Sequence, residues 1–302
     1  MDKIYIVGGG ASGMMAAIQA KTKDNEIILL EKNDRVGKKI LATGNGKCNL
    51  GNENLSVNCY YSKNSSFVEQ VLKRYDTESA VSFFDSIGLK VRSKNGYLYP
   101  YAEQASVVLD VLRMELERRS IQVKPGVQIT DCTPLINKRG YLLKTPDGRS
   151  YEADRVILAC GGPASLKEGG KDGYNILQKL GLKTYPLVPG LVQLRTDGKE
   201  QKALSGVRCK ASLRLFADGI QQGELQLTDY GISGIPVFQL SRVAAYALRN
   251  RKSVMVQIDF TPEYSYDEIV TYLLEQQNLR KDQTVDELLT GFLNKKINLV
   301  FL

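Results

Sequence analysis

The stretch that most constrains this chain is Gly8-Gly9-Gly10-Ala11-Ser12-Gly13, a G-x-G-x-x-G run between two apolar segments. Ile4-Tyr5-Ile6-Val7 leads into it. Met14 to Ala20 follows with helical character, and Ile27-Ile28-Leu29-Leu30 then ends in Glu31. Strand, glycine turn, helix, strand and acid, in that order, open a dinucleotide-binding βαβ unit. Gly8 permits the tight turn, Gly10 lets backbone approach a pyrophosphate, and Gly13 lets the helix pack closely on the strand. Ala11 and Ser12 enter the first helical turn, whose unpaired N–H groups and partial positive charge suit phosphate. Glu31 is placed to accept hydrogen bonds from both ribose hydroxyls, and its charge repels a 2′-phosphate. The motif alone leaves FAD and NAD open.

Composition narrows the class further. The 302 residues are 43% hydrophobic and 25% charged, ordinary for two or three globular domains. No apolar run reaches the roughly 18 residues that span a bilayer, and no signal segment opens the chain. A cytoplasmic protein is therefore expected. Histidine is absent, and the cysteines at 48, 59, 132, 160 and 209 are scattered. That excludes a His-based triad, a His–metal site and a C-x-x-C redox pair, and no metal site is expected. The net charge of +8 is spread along the chain, which favours a solvated basic surface over a nucleic-acid partner.

After Glu31 come Lys32, Lys38 and Lys39, then Thr43-Gly44-Asn45-Gly46-Lys47-Cys48-Asn49. Gly44 and Gly46 let backbone N–H groups converge on an anion, and the lysines add charge. Two phosphate-friendly loops in one N-terminal unit point to ligand contact rather than to a free surface loop. These residues, Glu-Lys-x-x-x-x-Gly-Lys-Lys and then Thr-Gly-Asn-Gly-Lys-Cys-Asn, resemble the signature of the BaiN-type flavoproteins. That bacterial family is 3-dehydro-bile-acid-reductase-like and is also called aminoacetone-oxidase-like. Its usual text is Gly-Gly-Gly-Arg-Cys-Asn, so Asn45 and Lys47 are mild departures. The resemblance implies an α/β fold, a Rossmann-like FAD-binding domain of the glutathione-reductase type with a β-rich, barrel-like insert and a helical domain. It implies FAD as cofactor, with Gly8, Gly10, Gly13, Glu31 and Lys32 at the adenosine pyrophosphate. Lys38, Lys39 and Thr43, with Gly44, Asn45, Gly46, Cys48 and Asn49, would line the pyrophosphate and flavin side. Val127 would pass the adenine. Cys160, in the place of a family threonine, would return to the cofactor with Gly161 and Gly162.

The rest of the chain can be read in order. Residues 65 to 88 form two short helices, the second closed by Gly88. Asn95-Gly96 predicts a hairpin, and apolar positions 105, 108, 109, 112 and 116 predict a helix over 103–119. Tyr97, Tyr99 and Tyr101 read as sheet packing rather than ligand stacking. Residues 126 to 153 read as an antiparallel meander, and Arg155 to Cys160 as a strand. Gly169-Gly170-Lys171-Asp172-Gly173-Tyr174 opens a helix to Leu180 and resembles the family's Gly-Ser-Thr-Gly-Asp-Gly-Tyr. Alternation over 207–215 predicts a half-buried strand, turned by Asp218-Gly219. Residues 223–236 resemble Gly-Glu-x-Leu-Phe-Thr-His-x-Gly-x-Ser-Gly-Pro, with Asp229 in the histidine's place. A helix from Pro236, an alternating strand over 254–260 and capping boxes at Ser265/Glu268 and Thr284/Glu287 complete the pattern.

The expected organisation is a Rossmann-like FAD-binding domain over 1–185, a β-rich substrate-side domain over 186–260 and a partial helical domain over 261–302. Family members continue to a further segment that lays a helix N-terminus against the flavin, and this sequence is expected to lack it. The expected function is an FAD-dependent oxidoreductase, a reductase or an oxidase, acting on a small or steroid-like substrate with NAD(P)H as electron donor. The alternative is a truncated flavoprotein with an incomplete FAD site. No catalytic residue is assigned, and Cys48 is read as a packed thiol.

Overall fold

In the computed structural model, which describes residues 1–164, 171–198, 200–215 and 218–302, the chain forms two units, Met1–Thr184 and Tyr185–Leu302. The first is built on four parallel strands in the spatial order Arg155–Leu158, Asp2–Val7, Asn25–Glu31, Gln122–Pro125. Parallel strands need crossovers that cover the sheet faces, so the central strand reads as a continuous apolar run. Ile27 to Leu30 are accordingly all buried.

The pleat divides these side chains between two cores. Ile6, Ile27 and Leu29 pack under the crossover helix Ala11–Ala20, through Met14, Ala17 and Ile18. Val108, Leu109, Leu112 and Leu116 of the helix Ala105–Arg118 join the same cluster. Tyr5, Val7, Ile28 and Leu30 face the other way, onto Ile129, Cys132, Leu143 and Ile176. There the sheet is covered by the antiparallel strands Asp131–Pro134, Tyr141–Lys144 and Ser150–Ala153, the meander expected from the sequence. Asn95 and Gly96 both take positive φ, 54° and 81°, as a two-residue hairpin turn between Val91–Lys94 and Tyr97–Pro100 requires.

One buried acid locks the two helices of the first core together. Glu115 takes both Arg118 and Arg119, and Arg119 also donates to the Ile18 carbonyl at 2.9 Å. These guanidinium groups hold the Glu115 carboxyl down at about 2. A carboxyl depressed in the folded state stabilises it above its unfolded value of about 4.5, and this is lost as pH falls towards 2. Because the guanidinium groups reach solvent, the contribution is only about 2 kcal/mol. Urea unfolding between those pH values should therefore show a falling midpoint, and Glu115→Gln should flatten that acid-side slope. An unchanged slope in the variant would contradict the assignment.

The second unit carries a five-stranded antiparallel sheet in the order Leu194–Arg195, Gly231–Ser233, Asp218–Thr228, Arg208–Leu215, Val256–Asp259. Ala211, Leu213 and Leu215 alternate inward and meet Leu225, Leu227 and the helix Ile235–Arg249, through Val237, Leu240 and Ala244. Pro236 lies in the first turn of that helix. Asp218 and Gly219 belong to the strand rather than to a turn, because Leu215 already pairs with Asp218. Residues 216 and 217, between them, lie outside the described residues. Both capping boxes form, at the helices Tyr266–Leu279 and Val285–Thr290, and Ile297 of the helix Lys295–Phe301 joins the sheet's core. Among the described residues no helix is long and apolar enough to cross a membrane, and no cluster of His, Cys, Asp or Glu could hold a metal.

Candidate nucleotide site

A cavity of about 400 Å³ opens at the carboxyl ends of the parallel strands, where open α/β sheets place their ligands. Its size lies within the range of about 300–1,000 Å³ usual for ligand sites. Gly8 leaves the first strand at φ +109°, and a Cβ there would stand 2.4 Å from the Ala159 carbonyl oxygen. Gly13 packs still closer, since its Cβ would fall 1.8 Å from the Gly8 carbonyl oxygen. Gly13 thus shapes the turn from beneath and does not line the cavity. Gly10, Ala11 and Ser12 do line it. Gly10 caps the helix without a side-chain hydrogen bond, so the first helical N–H groups are left to a ligand. A Cβ on Gly10 meets no atom within 4 Å. This is the open cradle a pyrophosphate needs.

Glu31 lines the cavity with only 7% of its surface exposed. The sequence suggests that it accepts from both ribose hydroxyls, but the structure leaves room for one. Its Oε2 accepts from the Gly9 N–H at 2.7 Å, while Oε1 accepts from the Asn33 N–H at 2.8 Å and from the Asn33 side-chain amide. A carboxylate offers about four acceptor positions, so a single one, on Oε2, remains. The carboxylate is buried, and a buried charge needs partners, which backbone and Asn33 supply.

The lysines are already engaged. Lys38 pairs with Asp34, and Lys39 donates to the Gly162 carbonyl at 2.8 Å. Lys39 therefore ties the loop after the second strand to the glycine pair after the returning strand. Gly161 lines the cavity, whereas Gly162 contributes only that carbonyl. Lys32 lies 3.3 Å from Asp172, whose same oxygen accepts from the Gln128 amide at 3.1 Å. Val127 lines the cavity, with its own N–H given to the Glu31 carbonyl at 2.8 Å.

Of the second glycine loop, only Thr43 reaches the lining. Gly44, Asn45, Gly46 and Cys48 all take positive φ, and the loop stands exposed apart from the half-buried Lys47 and from Cys48, which is buried as a packed thiol. Asn is the residue best suited, after glycine, to the left-handed backbone that Asn45 adopts at φ 54°. Asn49 also lies outside this lining, and Lys47 is held by Glu103 at 2.6 Å.

Cys160 lines the cavity beside Val7, with its thiol 3.5 Å from the Val7 carbonyl. Burial pushes the thiol pKa up, and the negative Asp172 adds to the shift. The raised pKa favours the neutral thiol over the nucleophilic thiolate. Gly9, Asn33, Gln128, Asp172 and Gly173 line the cavity as well, and sequence reasoning gave none of them a part. Asp172 and Gly173 stood within a noted glycine-rich segment, but Gly169 and Gly170 of that segment lie outside the described residues. For Gln128 nothing in its neighbourhood signals a ligand.

The fold defines a Rossmann-type unit with a cavity at the carboxyl ends of its parallel strands, and a second, β-rich unit. The chain belongs to the HI0933-like family, whose Rossmann-domain model matches residues 2–235 and whose barrel and H2TH-domain model matches residues 188–302. It is 40% identical to the 3-dehydro-bile acid delta(4,6)-reductase of Clostridium scindens, over 98% of this chain and 74% of that protein. It is 24% identical to the ribosomal RNA dihydrouridine synthase of Escherichia coli, over 97% and 71%. Among solved structures it aligns with a flavocytochrome c3 fumarate reductase at TM-score 0.44 and 16% identity, covering 69% of this chain and 46% of that one.

Proposed function

We propose that the chain binds FAD in this cavity and reduces a conjugated double bond of a small, steroid-like substrate, with NAD(P)H as the source of electrons. The carrying observation is the open cradle over Gly10 at a bare helix N-terminus, beside a buried acid with one acceptor position left. FAD, when bound, supplies the hydride. The chain's own residues hold and orient it. The Gly10–Ser12 turn offers N–H groups to phosphate, Glu31 takes one ribose hydroxyl, and Val127 and Ile129 wall the adenosine end. Because the chain has no histidine, the proton that completes the reduction must come from another side chain or from water. The named activity of the 40% identical relative supports the substrate class.

A second reading has its own support. Two ribosomal RNA dihydrouridine synthases match at 24% identity, and the net charge of +8 would suit RNA. Both readings share the cofactor and differ in the electron acceptor. NADH and NADPH oxidation by the FAD-loaded chain should accelerate with a 3-oxo-4,6-diene steroid and not with a ribosomal RNA transcript. Acceleration by RNA alone would overturn the small-molecule reading in favour of the second.

A further inference from the structure

Lys32, Asp172 and Gln128 lie far apart in sequence, yet they meet in the lining of the cavity, which Glu31 shares. Lys32 directly follows Glu31. In Rossmann units a cation near this acid is what accommodates a 2′-phosphate. Here that cation is occupied, because its ammonium lies 3.3 Å from the Asp172 carboxylate. The same oxygen also takes the Gln128 amide at 3.1 Å, which fixes the carboxylate in place. Gly173 helps to seat it, since a Cβ at 173 would fall 2.9 Å from the Cys160 Cβ. The Lys32 side chain is 33% exposed and that of Asp172 23%, so solvent reaches the pair in part.

We propose that Asp172 is a specificity-determining residue: by holding Lys32 it denies a 2′-phosphate its cation and keeps 2′-phosphorylated nucleotides out of the cavity. Glu31 repels that phosphate directly, and Asp172 removes the compensating charge beside it. The consequence suits a protein that takes electrons from NAD(P)H. A cavity open to ADP-type ligands and closed to their 2′-phosphorylated forms holds FAD without competition from NADPH. The inference rests on the reading of this cavity as an FAD site, and deepens it.

Asp172→Asn keeps the shape of the side chain and an oxygen for the Gln128 amide, but no longer neutralises the Lys32 charge. Calorimetric titration of the full chain with ADP and with 2′-phosphoadenosine 5′-diphosphate, which differ only in the 2′-phosphate, measures the preference directly. The native chain should favour ADP. Asp172→Asn should narrow that preference by about tenfold, the worth of one hydrogen bond between charged groups. Adding Lys32→Met to Asp172→Asn should restore the preference, because the gain runs through Lys32, and circular dichroism would confirm that each variant folds. ADP binding with an unchanged preference in Asp172→Asn would overturn the role of Asp172 alone. Failure of the native chain to bind ADP would overturn the FAD reading, and this inference with it.

Discussion

Gly10→Val is expected to leave the folded chain nearly as stable as before and to weaken FAD binding by at least about a hundredfold. The two halves of this result have separate causes. Gly10 sits at φ −79° and ψ −171°, extended backbone open to any residue, and an added Cβ meets no atom within 4 Å. Replacing a glycine cap by a β-branched residue should cost no more than about 1 kcal/mol. On the proposed FAD reading the same open space is the cradle for the pyrophosphate, and a branched side chain in it would block close approach of backbone to phosphate. Gly13→Ala is the control with the opposite signature. Its Cβ would fall 1.8 Å from the Gly8 carbonyl oxygen, which as backbone has nowhere to go. Overpacking of this kind costs about 3 kcal/mol or more and should depress stability before any ligand is added. Urea midpoints together with FAD fluorescence titration separate the two outcomes. Equal loss of stability in both variants would contradict the geometry.

Glu31→Ala should have the largest combined effect. The carboxylate holds the Gly9 N–H, the Asn33 N–H and the Asn33 side-chain amide, and the residue is buried. Removing it leaves these donors without their acceptor in a largely buried place, a cost of about 3 kcal/mol. Against a total stability of about 5–15 kcal/mol, that moves the apparent melting temperature by several degrees. The Gly9 N–H and the Asn33 loop also frame the cavity, so FAD affinity should fall more than tenfold even at temperatures where the variant stays folded. Glu31→Gln should fall between the two, because its amide group donates where an oxygen formerly accepted. Native-like stability in Glu31→Ala would mean that these bonds are not what holds the loop.

What could be read from the sequence was local. The βαβ opening spans fewer than forty residues, and two of its glycines, Gly8 and Gly13, have a dihedral or a contact that no other residue satisfies. Asn95-Gly96 announces its hairpin for the same reason, both residues lying at positive φ. The alternation over Arg208–Leu215 likewise follows from a sheet with one buried face. What stayed hidden depends on closure of the fold. Asp172 reaches Lys32 only because the helix Asp172–Lys179 packs against the meander side of the sheet, where Ile176 joins the core. Glu31 reads as a ribose acceptor in any alignment of motifs, but that three of its four acceptor positions are filled from within appears only once Gly9 and Asn33 are placed. The run Gly44 to Asn49 has the residues of an anion loop. Its left-handed backbone and the Lys47–Glu103 pair hold it outside the cavity lining, with Thr43 alone at the edge.

The most direct measurement is the visible spectrum of the purified chain after incubation with FAD and desalting, beside the Gly10→Val variant treated in the same way. The expected result is flavin absorbance retained by the native chain and lost in the variant. A colourless native chain, or equal retention by both, would contradict the assignment of the Gly10 cavity to the cofactor.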